Sequence, residues 1–357
     1  MLPLAQAAAA AGDDVVVVAA EALHGTDDRL AMRPLGPSLP DLLAENDQRS
    51  GQDVLGYPSD GSDLLDANVA LFTTTRADMA FDELCERVVG ERPDVIVAEM
   101  WDYVAPLVAR RLGIPWVSFV HSPATSIDAV LEAGLGKALE QRALTMPDRL
   151  ATVQLWPEWL EQQTPPGENA AMAIRAIPHD APAVVDLPAF DGGRPVVLVT
   201  LGTVVDDLEL LNSAVRGVLD AGADALVTTG FSAGPGDVKG DPDRVHAVPF
   251  APISRLLDRV QAVVSAGGSG TALAALSRGL PLAFVPRIAN QPLVASVVSG
   301  FGAGTVCDDP TDPADLTAAV SMVLHVPELR ARAEAASELL ERRPTPDTVW
   351  SALRDRM

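Results

Sequence analysis

Cysteine is nearly absent from this sequence, since only Cys85 and Cys307 occur among 357 residues. They lie far apart and in different predicted domains, so we expect two reduced thiols rather than a structural disulfide. No run of about 18 uncharged apolar residues occurs, which argues against a transmembrane span. The N-terminus lacks the basic region of a secretory signal peptide. These absences predict a cytoplasmic protein.

Basic residues are also scarce: 26 Lys and Arg stand against 49 Asp and Glu, for a net charge of -23. A polyanion of this size is repelled by nucleic-acid backbones and by anionic membranes, so neither is an expected partner. A small diphosphate is still allowed, because helix N-termini and backbone N–H groups bind anions locally.

Several sequence motifs of known binding and catalytic sites are missing as well. The sequence has no Gly-Lys-Ser/Thr of a P-loop, no His/Cys/carboxylate cluster with metal-ligand spacing, and no nucleophilic serine elbow. We therefore expect no metal ion and no cofactor.

What the first half does contain is alternation of helical patterns with apolar runs. Residues 2–11 read as a helix, and the run 15–20 as a strand buried on both faces. Residues 24–65 are rich in Asp, Pro, Gly and Ser and are expected to be a mobile surface stretch. Strands at 95–98 and 115–120 flank a short helix, which is a βαβ unit and predicts a parallel sheet.

In the second half the alternation restarts after a linker-like stretch at 186–194. Strands are expected at 196–200 and 262–264, among others, with helices between them. The sequence therefore predicts an α/β protein of two doubly wound domains, 1–187 and 188–357.

A glycine-rich turn follows the predicted strand at 262–264. Glycines let backbone N–H groups approach an anion closely, and the helix that follows adds partial positive charge. The predicted diphosphate contacts in this turn are Gly267, Gly268, Ser269, Gly270 and Thr271. A plain connecting turn is the alternative.

Two more strand ends carry candidate ligand contacts, because ligands of open α/β sheets bind at the carboxyl ends of strands. Gly202 and Thr203 follow the strand at 196–200 and suit a phosphate or sugar, or form a simple turn. Asn290 and Gln291 present amide groups suited to sugar hydroxyls, or are surface loop residues.

Together these motifs resemble family 1 glycosyltransferases of the two-domain GT-B fold, particularly the actinobacterial enzymes that glycosylate antibiotics. The family has an aromatic or apolar residue and a proline near the nucleotide base, here Phe250 and Pro252. Its His-Gly-Gly-x-Gly-Thr motif, which binds the diphosphate, corresponds to residues 266–271 here. Its Asp-Gln on the donor sugar corresponds to Asn290 and Gln291.

The resemblance implies two Rossmann-like domains, the first binding the acceptor and the second the nucleotide sugar. It implies inverting transfer from a UDP- or TDP-linked sugar to a hydroxyl of a natural-product aglycone. A homodimer is compatible with this assignment.

The sequence departs from the family pattern at two donor positions. The diphosphate-binding histidine is Ala266 here, and losing a charge-assisted hydrogen bond of about 1.5–3 kcal/mol weakens binding roughly 10- to 150-fold. Asn290 replaces an aspartate, which changes the sugar hydroxyls from which this side chain can accept hydrogen bonds.

A third departure concerns the start. The family opens with a central strand and a Gly-His-x-x-Pro loop whose histidine is the general base. Met1 to Ala7 resembles the family segment that comes directly after that loop. We expect this strand and histidine upstream of Met1; losing the base costs about 10²–10⁴ in rate.

On the acceptor side, Glu99 and Asp102 follow the strand at 95–98, and either is a candidate to orient a histidine. His121 is the best-placed histidine for such a role, and structural hydrogen bonding is its alternative. Trp101, with Tyr103 and Trp116 (core packing being the alternative), is a candidate to contact the aglycone.

Two rival functions stay open. One is a non-catalytic relative that binds nucleotide sugar or a partner transferase, and the other is a nucleotide-sugar epimerase. The second lacks the clustered acid and base residues that it needs in the second half.

Overall fold

A computed structural model describes most of the chain. The described residues are 1–19, 27–50, 70–123, 127–161, 171–178, 180, 190, 193–202, 207–230, 233–249, 251–288 and 290–357, with the backbone alone for 50 and 127–133. No helix among these residues is long and apolar enough to cross a membrane.

The elements are named here in chain order. The strands are β1 (Val16–Ala19), β2 (Ala31–Pro34), β3 (Ile96–Glu99), β4 (Trp116–Val120), β5 (Arg149–Gln154), β6 (Met172–Ala173), β7 (Val196–Thr200), β8 (Asp224–Thr228), β9 (Val245–Val248), β10 (Ala262–Ser265), β11 (Leu282–Phe284) and β12 (Gly304–Val306). The α-helices are α1 (Leu2–Ala10), α2 (Leu39–Ser50), α3 (Arg76–Glu91), α4 (Val104–Leu112), α5 (Ile127–Gln141), α6 (Leu208–Asp220), α7 (Ile253–Leu257), α8 (Ser269–Leu276), α9 (Gln291–Phe301), α10 (Pro313–His325), α11 (Pro327–Glu341) and α12 (Pro346–Arg354).

Contacts divide the chain into two compact units. The first unit is Met1–Leu155, Pro165–Ile174 and Pro344–Met357, and the second unit is Trp156–Thr164 and Arg175–Arg343. The chain thus passes between the units more often than a single boundary at 187/188 implies. That boundary, as a division of functions, stays a prediction.

The first unit contains two parallel sheets. One pairs β1 with β2, and the other has the order β3-β4-β5-β6. The predicted βαβ unit is confirmed, since β3 and β4 pair in parallel and α4 lies between them in the chain. The C-cap residue of α4 is Gly113, whose φ of 71° is in the left-handed region.

Two predictions for this unit are wrong. β1 was expected to be buried on both faces, yet Val18 is 40% exposed, because β1 pairs with β2 on one side only among the described residues. The stretch 24–65 contains β2 and α2, and Leu42 and Met32 are buried, so those elements are packed rather than mobile. Residues 51–69 lie outside the described residues.

The second unit is a six-stranded, all-parallel sheet of order β12-β11-β10-β7-β8-β9. Counted from β7, this is the 3-2-1-4-5-6 order of a Rossmann sheet, and the order reverses between β7 and β10. Such a reversal opens a crevice outside the carboxyl ends of the two strands.

Continuous apolar sequence explains these strands. All five residues of β7 are buried, as expected for a central strand covered by helices on both faces. One side packs against α6 and α10, with Leu211, Val215 and Val320 in the same core cluster. The fixed central strands hold the turns that follow them in place.

Candidate functional site

The predicted donor-side turns are brought to one edge of the second sheet. Gly202 follows β7, the glycine-rich turn follows β10, and Asn290 comes after β11. Since β7 neighbours β10 and β10 neighbours β11, the carboxyl ends of all three strands lie side by side. The first two turns flank the point where the strand order reverses.

Gly267 is a glycine for reasons internal to the fold. Its φ is 95°, and a β-carbon there would lie 2.9 Å from the carbonyl oxygen of Gln291. Its N–H donates to Ser265 Oγ at 3.1 Å. Gly267 therefore shapes the turn, and its amide already has an acceptor.

Gly268 and Gly270 differ from Gly267. A β-carbon at either position would meet no heavy atom within 4 Å, and Gly268 has φ -61°, which any residue adopts. Nothing in the described residues requires glycine there. An open space that two glycines leave unfilled is what a closely approaching ligand needs.

The helix start beside these glycines is uncapped. Gly268 is the N-cap of α8, and no side chain among the described residues accepts a hydrogen bond from the first turn. The amides of the first turn cannot be satisfied within the helix, and the helix dipole adds positive charge there. This end of α8 can accept an anion.

Asn290 and Gln291 are tied into the turns themselves. Asn290 Nδ2 donates to Ser269 Oγ at 3.0 Å. Gln291 is buried, and its Oε1 accepts from the backbone N–H groups of Arg287 at 2.9 Å and Ile288 at 3.0 Å. The side-chain oxygen of Gln291 is thus used to shape the loop after β11.

Thr203 and Phe250 lie outside the described residues. Pro252 is described, and it is the buried N-cap residue of α7.

The sequence missed a cation at this edge. Arg287 Nη2 lies 3.3 Å from Asp207 Oδ2, while Asp207 Oδ1 accepts from Leu210 N at 2.8 Å at the start of α6. Asp207 and Gly202 also line a small concavity. Thr229, another lining residue, is buried with a hydroxyl that has no partner in the described part of the chain.

In the first unit, two of the predicted residues contact each other directly. His121 Nε2 and Glu99 Oε1 are 2.5 Å apart, at the carboxyl ends of the neighbouring strands β4 and β3. Their side chains are 30% and 31% exposed, so solvent or a substrate reaches both.

Asp102, the other candidate to orient a histidine, does something else. Its Oδ1 accepts from the N–H groups of Val104 at 3.0 Å and Ala105 at 3.2 Å, which anchors the start of α4. Its Oδ2 lies 4.0 Å from Arg76. The structure therefore pairs His121 with Glu99.

The three aromatic candidates separate by burial. Tyr103 and Trp116 are core residues, at 0% and 3% exposure, so the alternative of core packing holds for both. Burial, and secondarily the charge of Glu99, raises the pKa of Tyr103 to about 12. Trp101 is half-buried beside Phe72, with ring centroids 5.9 Å apart.

No group of three or more His, Cys, Asp or Glu residues suited to a metal occurs in the part of the chain that the structure describes.

Comparison with known proteins decides the family. The family model "Erythromycin biosynthesis protein CIII-like, C-terminal domain" matches residues 211–355. An L-demethylnoviosyl transferase of Streptomyces niveus is 31% identical over 285 residues, which cover 73% of this chain and 70% of the relative. The chain belongs to the actinobacterial natural-product glycosyltransferases.

Other natural-product glycosyltransferases match over nearly the whole chain. The 3-alpha-mycarosylerythronolide B desosaminyl transferase of Saccharopolyspora erythraea is 27% identical over 98% of this chain and 93% of its own. The crystal structure of glycosyltransferase SsfS6 from Streptomyces sp. SF2575, complexed with thymidine diphosphate, superimposes with a TM-score of 0.82 at 25% identity. The superposition covers 99% of this chain and 95% of the SsfS6 chain. The GT-B fold is confirmed.

Ala266 stands where the predicted family motif has a histidine. Ala266 is 1% exposed and belongs to the core cluster beside β7 and β10. Its methyl side chain offers no polar contact. Among the described residues, positive charge at this edge comes from the first-turn amides of α8 and from Arg287, which is paired with Asp207.

Proposed function

We propose that this chain transfers a sugar from a nucleoside-diphosphate donor, with thymidine diphosphate as leaving group, to a hydroxyl of a natural-product aglycone. The transfer is a single displacement that inverts the anomeric carbon. The observation that carries the proposal is the uncapped start of α8, where Gly268 and Gly270 leave open space beside the reversal of strand order. Relatives named for demethylnoviosyl and desosaminyl transfer favour a deoxysugar donor.

The chemistry follows from where charge develops. As the bond between the sugar and the diphosphate breaks, negative charge grows on the departing oxygen. Backbone N–H groups at the start of α8 are already oriented toward that charge, and one such donor contributes about 10²–10³ in rate. Arg287 adds a cation at the same edge of the sheet.

The remaining donor contacts are proposed from the family pattern. Phe250 and Pro252 contact the nucleotide base, and Thr203 the diphosphate. Asn290 and Gln291 contact the donor sugar, Gln291 through its Nε2 because its Oε1 holds the loop after β11.

A substitution pair tests the proposal. Gly268→Asp places a carboxylate beside the proposed diphosphate, so we expect it to abolish the rise in melting temperature caused by TDP. It should also abolish TDP release from a TDP-sugar. Gly236→Asp is the matched control, because Gly236 is also outside the left-handed region and meets no atom within 4 Å. The control should respond to TDP as the wild type does.

Two results would contradict the proposal. One is a wild-type protein whose melting temperature does not respond to TDP, UDP or their sugars. The other is equal TDP stabilisation of the Gly268→Asp and Gly236→Asp proteins.

A second candidate is favoured by one observation: the position where the family pattern predicts a diphosphate-binding histidine is a buried alanine, Ala266. In this alternative the chain binds nucleotide sugar, or a partner transferase, without transferring the sugar. Stabilisation by TDP with no glycosylated product in mass spectrometry, for any acceptor supplied, would support it over transfer.

The setting of the reaction is also proposed. The two free cysteines fit a reducing cytoplasm. A homodimer stays a prediction, which light scattering of the purified chain tests directly.

A further inference from the structure

Asp207 and Arg287 form an ion pair across the carboxyl edge of the second sheet, with Arg287 Nη2 at 3.3 Å from Asp207 Oδ2. Asp207 lies between β7 and α6, whereas Arg287 follows β11. In the sheet β10 lies between β7 and β11, so the two residues come from turns about two strand spacings, roughly 9–10 Å, apart. The pair therefore spans the carboxyl end of β10, where the glycine-rich turn begins.

The backbone of Arg287 is fixed against that turn. Its N–H donates to Oε1 of the buried Gln291 at 2.9 Å. The carbonyl oxygen of Gln291 lies 2.9 Å from the position that a β-carbon on Gly267 would take. Contact through Gln291 thus places Arg287 beside the turn that we propose binds the diphosphate.

The carboxylate of Asp207 is fixed by a second contact. Asp207 is the N-cap of α6, and its Oδ1 accepts from Leu210 N at 2.8 Å. Asparagine caps a helix about as well as aspartate, so capping alone does not require a charged group at this position. What the charge adds is the ion pair between Oδ2 and Arg287.

A carboxylate at this edge acts against an anionic ligand, because like charges repel. The side chains of Arg287 and Asp207 are 29% and 27% exposed, so a ligand can reach the pair. A diphosphate at the start of α8 offers the guanidinium a more highly charged partner and a bidentate geometry. The long arginine side chain can turn toward that partner, whereas Asp207 is held at its helix cap.

We propose that Asp207 is an internal competitor of the diphosphate: it holds Arg287 across the end of β10 in the unliganded protein and yields it when the nucleoside diphosphate binds. The inference rests on the proposed binding of a TDP-sugar at the start of α8. Binding then breaks one ion pair and forms another, which lowers the net gain in binding free energy. The same competition favours release of TDP after transfer, because Asp207 takes Arg287 back.

Calorimetric titration of TDP at low ionic strength tests the competition. Asp207→Asn keeps the helix cap but removes both the competing partner and the repulsion, so TDP should bind about 3- to 10-fold more tightly than to wild type. Arg287→Gln should weaken binding about 10-fold or more. In the Arg287→Gln background, Asp207→Asn should change the dissociation constant by less than about twofold, because no arginine is left to compete for.

Two further variants make the test specific. Asp312 is the N-cap of α10 and accepts from Ala314 N at 2.9 Å, so Asp312→Asn removes the same charge from the same kind of position. This matched control should bind TDP as wild type does. Asp207→Ser repeats the test with another capping side chain if the asparagine variant does not fold. Melting temperatures without ligand report the folding of each protein.

The outcomes separate the inference from the proposed function. Tighter binding of TDP to Asp207→Asn than to Asp312→Asn, lost in the Arg287→Gln background, would support the competition. Equal dissociation constants for Asp207→Asn, Asp312→Asn and wild type, or equal tightening with and without Arg287, would overturn it while leaving the proposed function intact. A wild-type protein that does not bind TDP would contradict the proposed function, and with it this inference.

Discussion

Replacing Gly267 by alanine should destabilise the second unit strongly, whereas the same replacement at Gly268 should not. At Gly267 the new methyl meets two costs. The left-handed backbone (φ 95°) costs an alanine about 1–2 kcal/mol, and a β-carbon 2.9 Å from the Gln291 carbonyl oxygen forces a shift costing about 1–3 kcal/mol. The expected loss in unfolding free energy is about 2–5 kcal/mol.

At Gly268 neither cost applies. Its φ of -61° suits alanine, and a β-carbon meets no atom within 4 Å. Removing a glycine from such a position stabilises a protein by about 0.4–1 kcal/mol, through the entropy of the unfolded chain. The Gly268→Ala methyl should instead reduce stabilisation by TDP, because it occupies the proposed diphosphate space.

Thermal unfolding of the two variants, with and without TDP, is the assay. In a unit of this size each kcal/mol moves the melting temperature by about 2–4 °C. Without ligand, Gly267→Ala should melt well below wild type and Gly268→Ala at or above it. Equal melting temperatures for the two unliganded variants would refute the inference that Gly267 shapes the turn whereas Gly268 faces the ligand.

Two further predictions concern the first unit. Hydrogen bonding from the Arg29 guanidinium, with Gln6 also donating, lowers the pKa of the buried Asp27 to about 2. Ionised Asp27 should therefore contribute about 2 kcal/mol of stability above pH 4, lost as the pH falls toward 2. Urea unfolding at pH 4 and at pH 2 measures this loss of stability. An Asp27→Asn protein that loses as much stability in acid as the wild type would contradict the prediction. Asp102→Ala leaves two N–H groups at the start of α4 without their acceptor and should cost about 1 kcal/mol in urea unfolding. An unchanged unfolding free energy would show that Asp102 does not anchor this helix.

The sequence predicted elements best where burial is complete. β7 was predicted with the bounds that the structure has, because a continuous apolar run marks a strand covered on both faces. β2 and α2 were missed because they lie in sequence rich in Asp, Pro and Ser. Only tertiary packing, such as the burial of Leu42, reveals them.

The candidate site, too, was predicted only in part from the sequence. Sequence placed Glu99, Asp102 and His121 near two strand ends but could not choose between the carboxylates. The choice depends on distances, although an aspartate just before an apolar helix is a known capping signal. The Asp207–Arg287 pair was missed because 80 residues separate its members in the chain.

A crystal structure of this protein with TDP tests the central claim most directly. We predict phosphate oxygens about 3 Å from the backbone nitrogens of Gly270 and Thr271, beside the turn at Gly202. TDP bound with its phosphates away from the start of α8 would contradict the assignment.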